Sequence, residues 1–168
     1  MRDEVDELVE AWGRERSDLD LTPVEVFSRI GRLARHLDLA RRQAFAAHAI
    51  ESWEFDVLAA LRRAGGDYQL SPGRLLKETL VTSGTMTNRV DRLSARGLVE
   101  RYPDPDDRRG VIVRLTAEGK ATVDAAFSAL LGAERELLDT LPERDRAKLA
   151  SLLRALLAPF ADSAQRNS

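Results

Sequence analysis

The stretch RYPDPDDRRGVIVRLT, residues 101–116, decides the fold because it joins two β-favouring segments through a polar turn. Proline, aspartate and glycine in its middle are typical of turns, since they favour the backbone angles that turns need. The flanking segments 98–102 and 111–115 predict an antiparallel hairpin, because they are rich in β-branched and aromatic residues. A turn has no backbone need for two adjacent arginines, so Arg108 and Arg109 predict a charged tip.

The charge pattern of this tip favours contact with DNA. A narrow minor groove attracts an inserted arginine, so we expect Arg108 and Arg109 to reach into it. Three aspartates in the same turn would repel phosphate, and at least one of them, Asp107 above all, is expected to pair with an arginine. A purely structural hairpin is the alternative interpretation.

The composition restricts the classes of protein. The chain has 168 residues, no cysteine and a net charge of −2. The missing thiols exclude disulfides, thiolate metal sites and cysteine nucleophiles. The amino terminus lacks the apolar core of a signal peptide, and no apolar run approaches the ~18 residues of a membrane span. We therefore expect a cytoplasmic protein with no membrane contact.

The charges are unevenly distributed. Residues 71–120 hold ten Lys or Arg and seven Asp or Glu, whereas the whole chain holds 26 and 28. An acidic protein with a basic middle can dock on phosphates through that middle alone.

Capping signals and apolar periodicity predict seven helices around the hairpin. The first predicted helix is short and acidic and starts near residue 3. The second has Thr22 as its N-cap, followed by Pro23. The other predicted helices start at Ser52, Ser71-Pro72, Thr82, Thr116 and Pro142.

This order predicts a mainly α protein with a small β-hairpin wing. We expect a winged helix-turn-helix DNA-binding domain at 52–116, amino-terminal helices at 1–51 as ligand lid and dimerisation region, and carboxy-terminal dimerisation helices at 117–168. The leucine-rich outer helices favour a homodimer interface, with an intramolecular bundle as the alternative.

The segment 82–97 is the predicted recognition helix. Met86, Val90 and Leu93 share one face, which we expect to pack inward. The opposite face offers short hydrogen-bonding side chains and one long cation, at residues Ser83, Thr85, Thr87, Asn88 and Arg92. Such groups can read base edges in the major groove, so we predict that they bind double-stranded DNA. A solvated surface is the alternative, although such surfaces usually prefer Glu and Lys.

The stretch LVERYPDPDDRRGVIVRLTAEGKA, residues 98–121, resembles the wing signature of MarR-family transcription regulators. The helices before it, beginning WEFDVLAALRR at residue 53, are similar to those of the same family. This resemblance implies a homodimer that binds an inverted-repeat operator, usually as a repressor released by a small ligand.

The stretch WGRERSDLDLTPVEV, residues 12–26, resembles the extra amino-terminal helix of the PecS-like, urate-responsive branch. The resemblance implies a ligand site formed by Trp12, Asp56, Arg89 and Arg101. An indole can stack on a flat purine anion, arginines can hold its charged edge, and a carboxylate can accept its N–H groups. Each residue also has a structural interpretation: core packing for Trp12, a helix-dipole contact for Asp56, and surface ion pairs for the two arginines.

Other classes of function have little support. No nucleophile triad, phosphate-binding loop or HExxH sequence is present, so we expect neither an enzyme nor a cofactor. The two histidines, His36 and His48, lie twelve residues apart, which is a poor spacing for one metal ion on a helix. Within the regulator interpretation, a phenolic or aromatic carboxylate ligand is the alternative to a purine.

Overall fold

The structure is a computed structural model that describes residues 2–79, 81–105 and 110–166. This part of the chain forms seven helices and three strands. The helices are α1 (Glu4–Glu15), α2 (Thr22–Ala46), α3 (Ser52–Arg63), α4 (Pro72–Thr79), α5 (Ser83–Ala95), α6 (Ala117–Leu138) and α7 (Glu143–Arg166), and the strands are β1 (Gln69–Leu70), β2 (Val99–Pro103) and β3 (Val111–Leu115). The mainly α fold with a hairpin wing is confirmed.

The sheet has the order β1-β3-β2, with both neighbouring pairs antiparallel. The predicted hairpin is present, and its register pairs Val99 with Leu115 and Pro103 with Val111. Strand β1 was not predicted, because two residues are too short to show a β period. Arg114 on β3 links the three strands, since it donates to Gln69 Oε1 at 2.7 Å and lies over the Tyr102 ring at 4.8 Å.

Two predicted helix caps are displaced by one residue toward an acidic neighbour. Thr22 is the first residue of α2 rather than its N-cap, and its backbone N–H donates to Asp20 Oδ1 at 3.0 Å. Ser52 is likewise the first residue of α3, and Glu51 occupies the N-cap position. Carboxylates are competent acceptors for exposed helix N–H groups, so they compete with the predicted hydroxyl.

The predicted cap of α6 is confirmed, and it joins α6 to the end of α5. Thr116 Oγ1 accepts a hydrogen bond from the Gly119 N–H at 2.9 Å and donates to the Gly97 carbonyl at 2.7 Å. Gly97 has φ 69, the left-handed conformation expected of a helix carboxy-terminal glycine. A Cβ at Gly119 would lie only 1.9 Å from the Leu98 carbonyl oxygen. The first turn of α6 therefore lies directly against the backbone that leaves α5.

The core lies between α3, α4, α5, the sheet and the first half of α6. The predicted inward face of α5 is confirmed, because Met86, Val90 and Leu93 are each at most 1% exposed. They pack in one cluster with residues such as Leu58 and Leu61 of α3. This packing fixes which face of α5 remains at the surface.

Helix α1 is joined to α2 mainly by charged groups. Arg29 of α2 donates to Asp3 at 2.8 Å and to Asp6 at 2.7 Å, while Arg32 donates to Glu4 at 2.6 Å. The hydrogen bond from Arg29 lowers the pKa of the Asp3 carboxyl to about 2. Val5 is the residue of α1 that is buried.

The chain divides into two compact units, residues 1–130 and 131–168. In the second unit, several leucines of α6 and α7 are exposed in the single chain. They are Leu131, Leu137, Leu138, Leu152, Leu153, Leu156 and Leu157. None of the helices in the described residues is long and apolar enough to cross a membrane.

Candidate DNA-binding surface and ligand site

The outward face of α5 carries the five side chains predicted to contact DNA. Packing of the opposite face into the core leaves all five exposed. They are Ser83, Thr85, Thr87, Asn88 and Arg92. The structure therefore places them together on one accessible helical surface.

The hydrogen bonds of this face differ from residue to residue. Thr87 donates to the Ser83 carbonyl at 3.2 Å, and the Thr85 hydroxyl lies 2.9 Å from that of Thr82. The Asn88 side-chain amide makes no hydrogen bond with any other described residue, so it has both donor and acceptor available for a base edge. Arg92 is held from outside its helix: it donates to Glu51 at 3.1 Å and lies 4.6 Å from the Trp53 ring centre.

The predicted tip of the wing, with Asp107, Arg108 and Arg109, lies outside the described residues. The described base of the wing is a regular hairpin, in which the Asp104 N–H donates to the Gly110 carbonyl at 3.0 Å. DNA contact by the two arginines therefore stays a prediction.

The four predicted ligand residues lie on three helices and one strand, and within the described residues no hydrogen bond or ion pair joins any two of them. Trp12 on α1 is 49% exposed, so it is not a core residue. Asp56 pairs with Arg41 of α2 at 2.6 Å. Asp56 therefore takes part in an ion pair between α2 and α3.

Of the two predicted ligand arginines, one lies on α5 and the other contacts α5. Arg89 belongs to α5, and its guanidinium lies 5.5 Å from the Trp53 ring centre. Arg101 on β2 pairs with Asp91 of α5 at 2.7 Å and donates to the Thr87 carbonyl at 3.5 Å. The ion-pair interpretation therefore holds for Arg101 in the single chain.

Several cavities border the residues described so far. The first, about 220 Å³, lies between α5 and the wing and is lined by Pro72, Met86, Thr87, Val90, Arg101 and Val111. The second, about 320 Å³, lies between α3 and α6, and its lining includes Phe55, Phe127 and the Arg62–Asp124 ion pair. The first cavity includes the predicted ligand residue Arg101, and a separate cavity of about 180 Å³ lies beside Trp12.

Sequence reasoning missed a set of groups at the turn between α2 and α3. Glu54 is 1% exposed, and both of its oxygens accept from Arg96, at 2.6 and 2.7 Å. Its Oε2 also accepts from the Glu51 backbone N–H at 2.9 Å. The available signal was a glutamate three residues after an acidic N-cap position, which is typical of a capping box.

Comparison with known proteins agrees with this geometry. A sequence profile described as the MarR family matches residues 50–110, which span α3 to the wing. The HTH-type transcriptional regulator PecS of Dickeya dadantii is 35% identical over 150 residues, covering 89% of this chain and 90% of that protein.

The chain belongs to the MarR family.

Solved structures of similar proteins share the fold. A MarR variant from E. coli complexed with operator DNA is 31% identical, with a TM-score of 0.62 over 79% of this chain and 98% of that one. Bordetella bronchiseptica BpsR, solved to explain regulation of its DNA binding by 6-hydroxynicotinic acid, is 28% identical, with a TM-score of 0.58 over 76% and 98%. The protein is a DNA-binding transcription regulator of the MarR family and not an enzyme.

Proposed function

We propose that this MarR-family regulator is a cytoplasmic repressor that binds an inverted-repeat operator as a homodimer and leaves it when a small aromatic anion binds. The observation that carries the DNA-binding part is the exposed polar face of α5 opposite its buried Met86, Val90 and Leu93. Ser83, Thr85, Thr87, Asn88 and Arg92 enter the major groove, and Arg108 and Arg109 of the wing tip enter the minor groove. The E. coli MarR complex with operator DNA supports this arrangement by likeness of fold.

Dimerisation uses the outer regions, residues 1–51 and 117–168. The support is the row of leucines that α6 and α7 expose in the single chain, since contiguous exposed apolar surface usually marks an interaction site. Light scattering at micromolar concentration should give twice the 18.7 kDa mass of the chain. A monomeric mass would contradict this part of the proposal.

The ligand site consists of Trp12, Asp56, Arg89 and Arg101, and the ligand is urate or a related anionic purine. Binding requires Asp56 to leave Arg41 and Arg101 to leave Asp91. Both are partly exposed ion pairs, which typically contribute only ~0–1 kcal/mol, so a charged ligand can replace them.

Release of DNA follows from the position of the two arginines. Arg89 lies on α5, and Arg101 contacts α5 through Asp91 and Thr87. A ligand that draws these arginines together changes the orientation of the helix that reads DNA. By linkage, ligand and operator then weaken each other's binding by the same factor.

An aromatic carboxylate is the second candidate ligand. It is favoured by the cavity between α5 and the wing, where apolar side chains surround Arg101. BpsR, whose DNA binding is described as regulated by 6-hydroxynicotinic acid, supports this ligand class.

The test uses operator fragments selected from random DNA by the purified protein. Fluorescence anisotropy then measures their release by urate, xanthine, hypoxanthine, adenine, salicylate and 6-hydroxynicotinate. We expect urate to release DNA at the lowest concentration, and release by the carboxylates alone would select the second candidate.

Variants separate the roles of the ligand residues. Asp56→Ala should raise the urate concentration needed for release about tenfold or more, because an anchor for the purine N–H groups is lost. Asp38→Ala is the matched control, since it removes an exposed carboxylate paired with Arg42 on α2. Trp12→Phe keeps an aromatic face and should lose less than Trp12→Ala. Equal responses of the Asp56 and Asp38 variants would contradict the proposed site.

A further inference from the structure

Three arginines, one from each successive turn at the end of α5, contact the same short segment. This segment, residues 49–54, is called the α2–α3 corner. Arg89 and Arg92 lie over Trp53, Arg92 also donates to Glu51, and Arg96 donates to Glu54. The carboxy-terminal half of α5 is thus attached to residues that precede it by about forty positions.

The Arg96 contact keeps the helix and the corner in fixed register. Glu54 is buried, and besides its two bonds with Arg96 it accepts from the Glu51 N–H. Arg96 donates a further bond to the Ala49 carbonyl at 2.8 Å. A buried charge that loses its partner is strongly unfavourable, so this end of α5 cannot shift without a large cost.

The Glu51 carboxylate is held in one orientation by its neighbour. The Trp53 indole N–H donates to Glu51 Oε2 at 2.9 Å, which leaves Oε1 for Arg92. The indole ring simultaneously lies against the Arg92 guanidinium. Arg92 is therefore restrained on two sides by the corner, while its side chain remains 55% exposed and keeps most of its N–H donors for another partner.

We propose that Glu51, held by Trp53, is a positioning residue that determines operator specificity by orienting Arg92. A restrained guanidinium presents its donor pair at a fixed angle, which favours bidentate contact with one base over diffuse contact with phosphates. Released from Glu51, Arg92 still attracts phosphates but discriminates less between base sequences. This inference rests on the proposed DNA contact of Arg92.

The test measures a discrimination ratio, the affinity for the selected operator divided by that for scrambled DNA of equal length and composition. Glu51→Gln should lower the ratio about two- to fivefold, the range expected for one exposed ion pair. Its affinity for scrambled DNA should stay equal or rise, because one negative charge near the DNA is removed. Trp53→Phe keeps the ring but not the N–H, and it should lower the ratio by less.

A double-mutant cycle identifies the route of the effect. In an Arg92→Ala background, Glu51→Gln should no longer change the ratio, because the residue through which it acts is absent. Asp38→Asn, which removes an exposed carboxylate on α2, is the control and should leave the ratio unchanged. Arg92→Lys keeps the charge without the planar fork and provides a second variant that should lower the ratio.

The outcomes separate this proposal from the proposed function. An unchanged ratio for Glu51→Gln, or an equal loss with and without Arg92, overturns the positioning role alone. An unchanged ratio for Arg92→Ala overturns both the DNA contact of Arg92 and its positioning by Glu51.

Discussion

Replacing Glu54 tests how much the buried contact with Arg96 stabilises the protein. Glu54→Leu keeps much of the side-chain volume but removes every acceptor for Arg96 and for the Glu51 N–H. Breaking a buried ion pair by removing one partner typically costs ~3–5 kcal/mol. Here the Arg96 side chain is 39% exposed and can regain water, so we expect a loss at or just below the lower limit of that range, about 2–3 kcal/mol. Glu54→Gln keeps one acceptor and should cost about 1–2 kcal/mol.

Urea unfolding followed by circular dichroism measures this loss, at one fixed protein concentration because dimerisation would contribute to stability. Glu10→Gln is the matched control, since Glu10 pairs with Arg2 on the surface, and it should change the free energy of unfolding by less than ~0.5 kcal/mol. Glu54→Leu should cost less in an Arg96→Met background, where no cation is left without its partner. A Glu54→Leu protein as stable as the Glu10 control would refute the reasoning.

The remaining predictions concern α1, α6 and the corner. The Asp3 carboxyl has a folded pKa of about 2, below its ordinary value of 3.8. Its ionised form therefore stabilises the fold above pH ~4, and this stabilisation is lost as the pH falls toward 2. The difference in melting temperature between wild type and Asp3→Asn should close over that pH range. Gly119→Ala should destabilise by ~1–3 kcal/mol or more, because its Cβ meets the Leu98 carbonyl, whereas Gly31→Ala has open space and should be neutral or stabilising in thermal unfolding. Operator binding should change the fluorescence of Trp53, because its ring contacts two α5 guanidiniums; a Trp12→Phe protein whose emission does not respond to operator would contradict this.

The parts of the fold that were predictable have strong local signals. The two faces of α5 follow from the spacing of Met86, Val90 and Leu93, and the wing follows from its proline, aspartate and glycine residues. The caps at Thr22 and Ser52 were displaced by one residue, and at Thr22 the Asp20 carboxylate competes for the first helix N–H. Such competition is decided by backbone geometry, which the sequence pattern does not contain.

The candidate site was predictable only as a set of exposed side chains. Their restraints come from residues distant in sequence: Glu51 lies 41 positions from Arg92, and Glu54 lies 42 positions from Arg96. A glutamate in the first turn of a helix is normally solvated, so no local pattern indicates that Glu54 is buried. The partners of the predicted ligand residues Asp56 and Arg101 are Arg41 and Asp91, and they are hidden from sequence reasoning for the same reason.

The attachment of α5 to the corner makes the recognition helix a poor module for exchange between regulators. A graft of residues 83–96 into another scaffold would carry Arg92 and Arg96 without their carboxylate partners. A foreign helix placed in this protein would leave the buried Glu54 facing no cation. Engineering of new DNA specificity on this scaffold should therefore transfer residues 49–54 together with the helix, as one unit made of two separate segments.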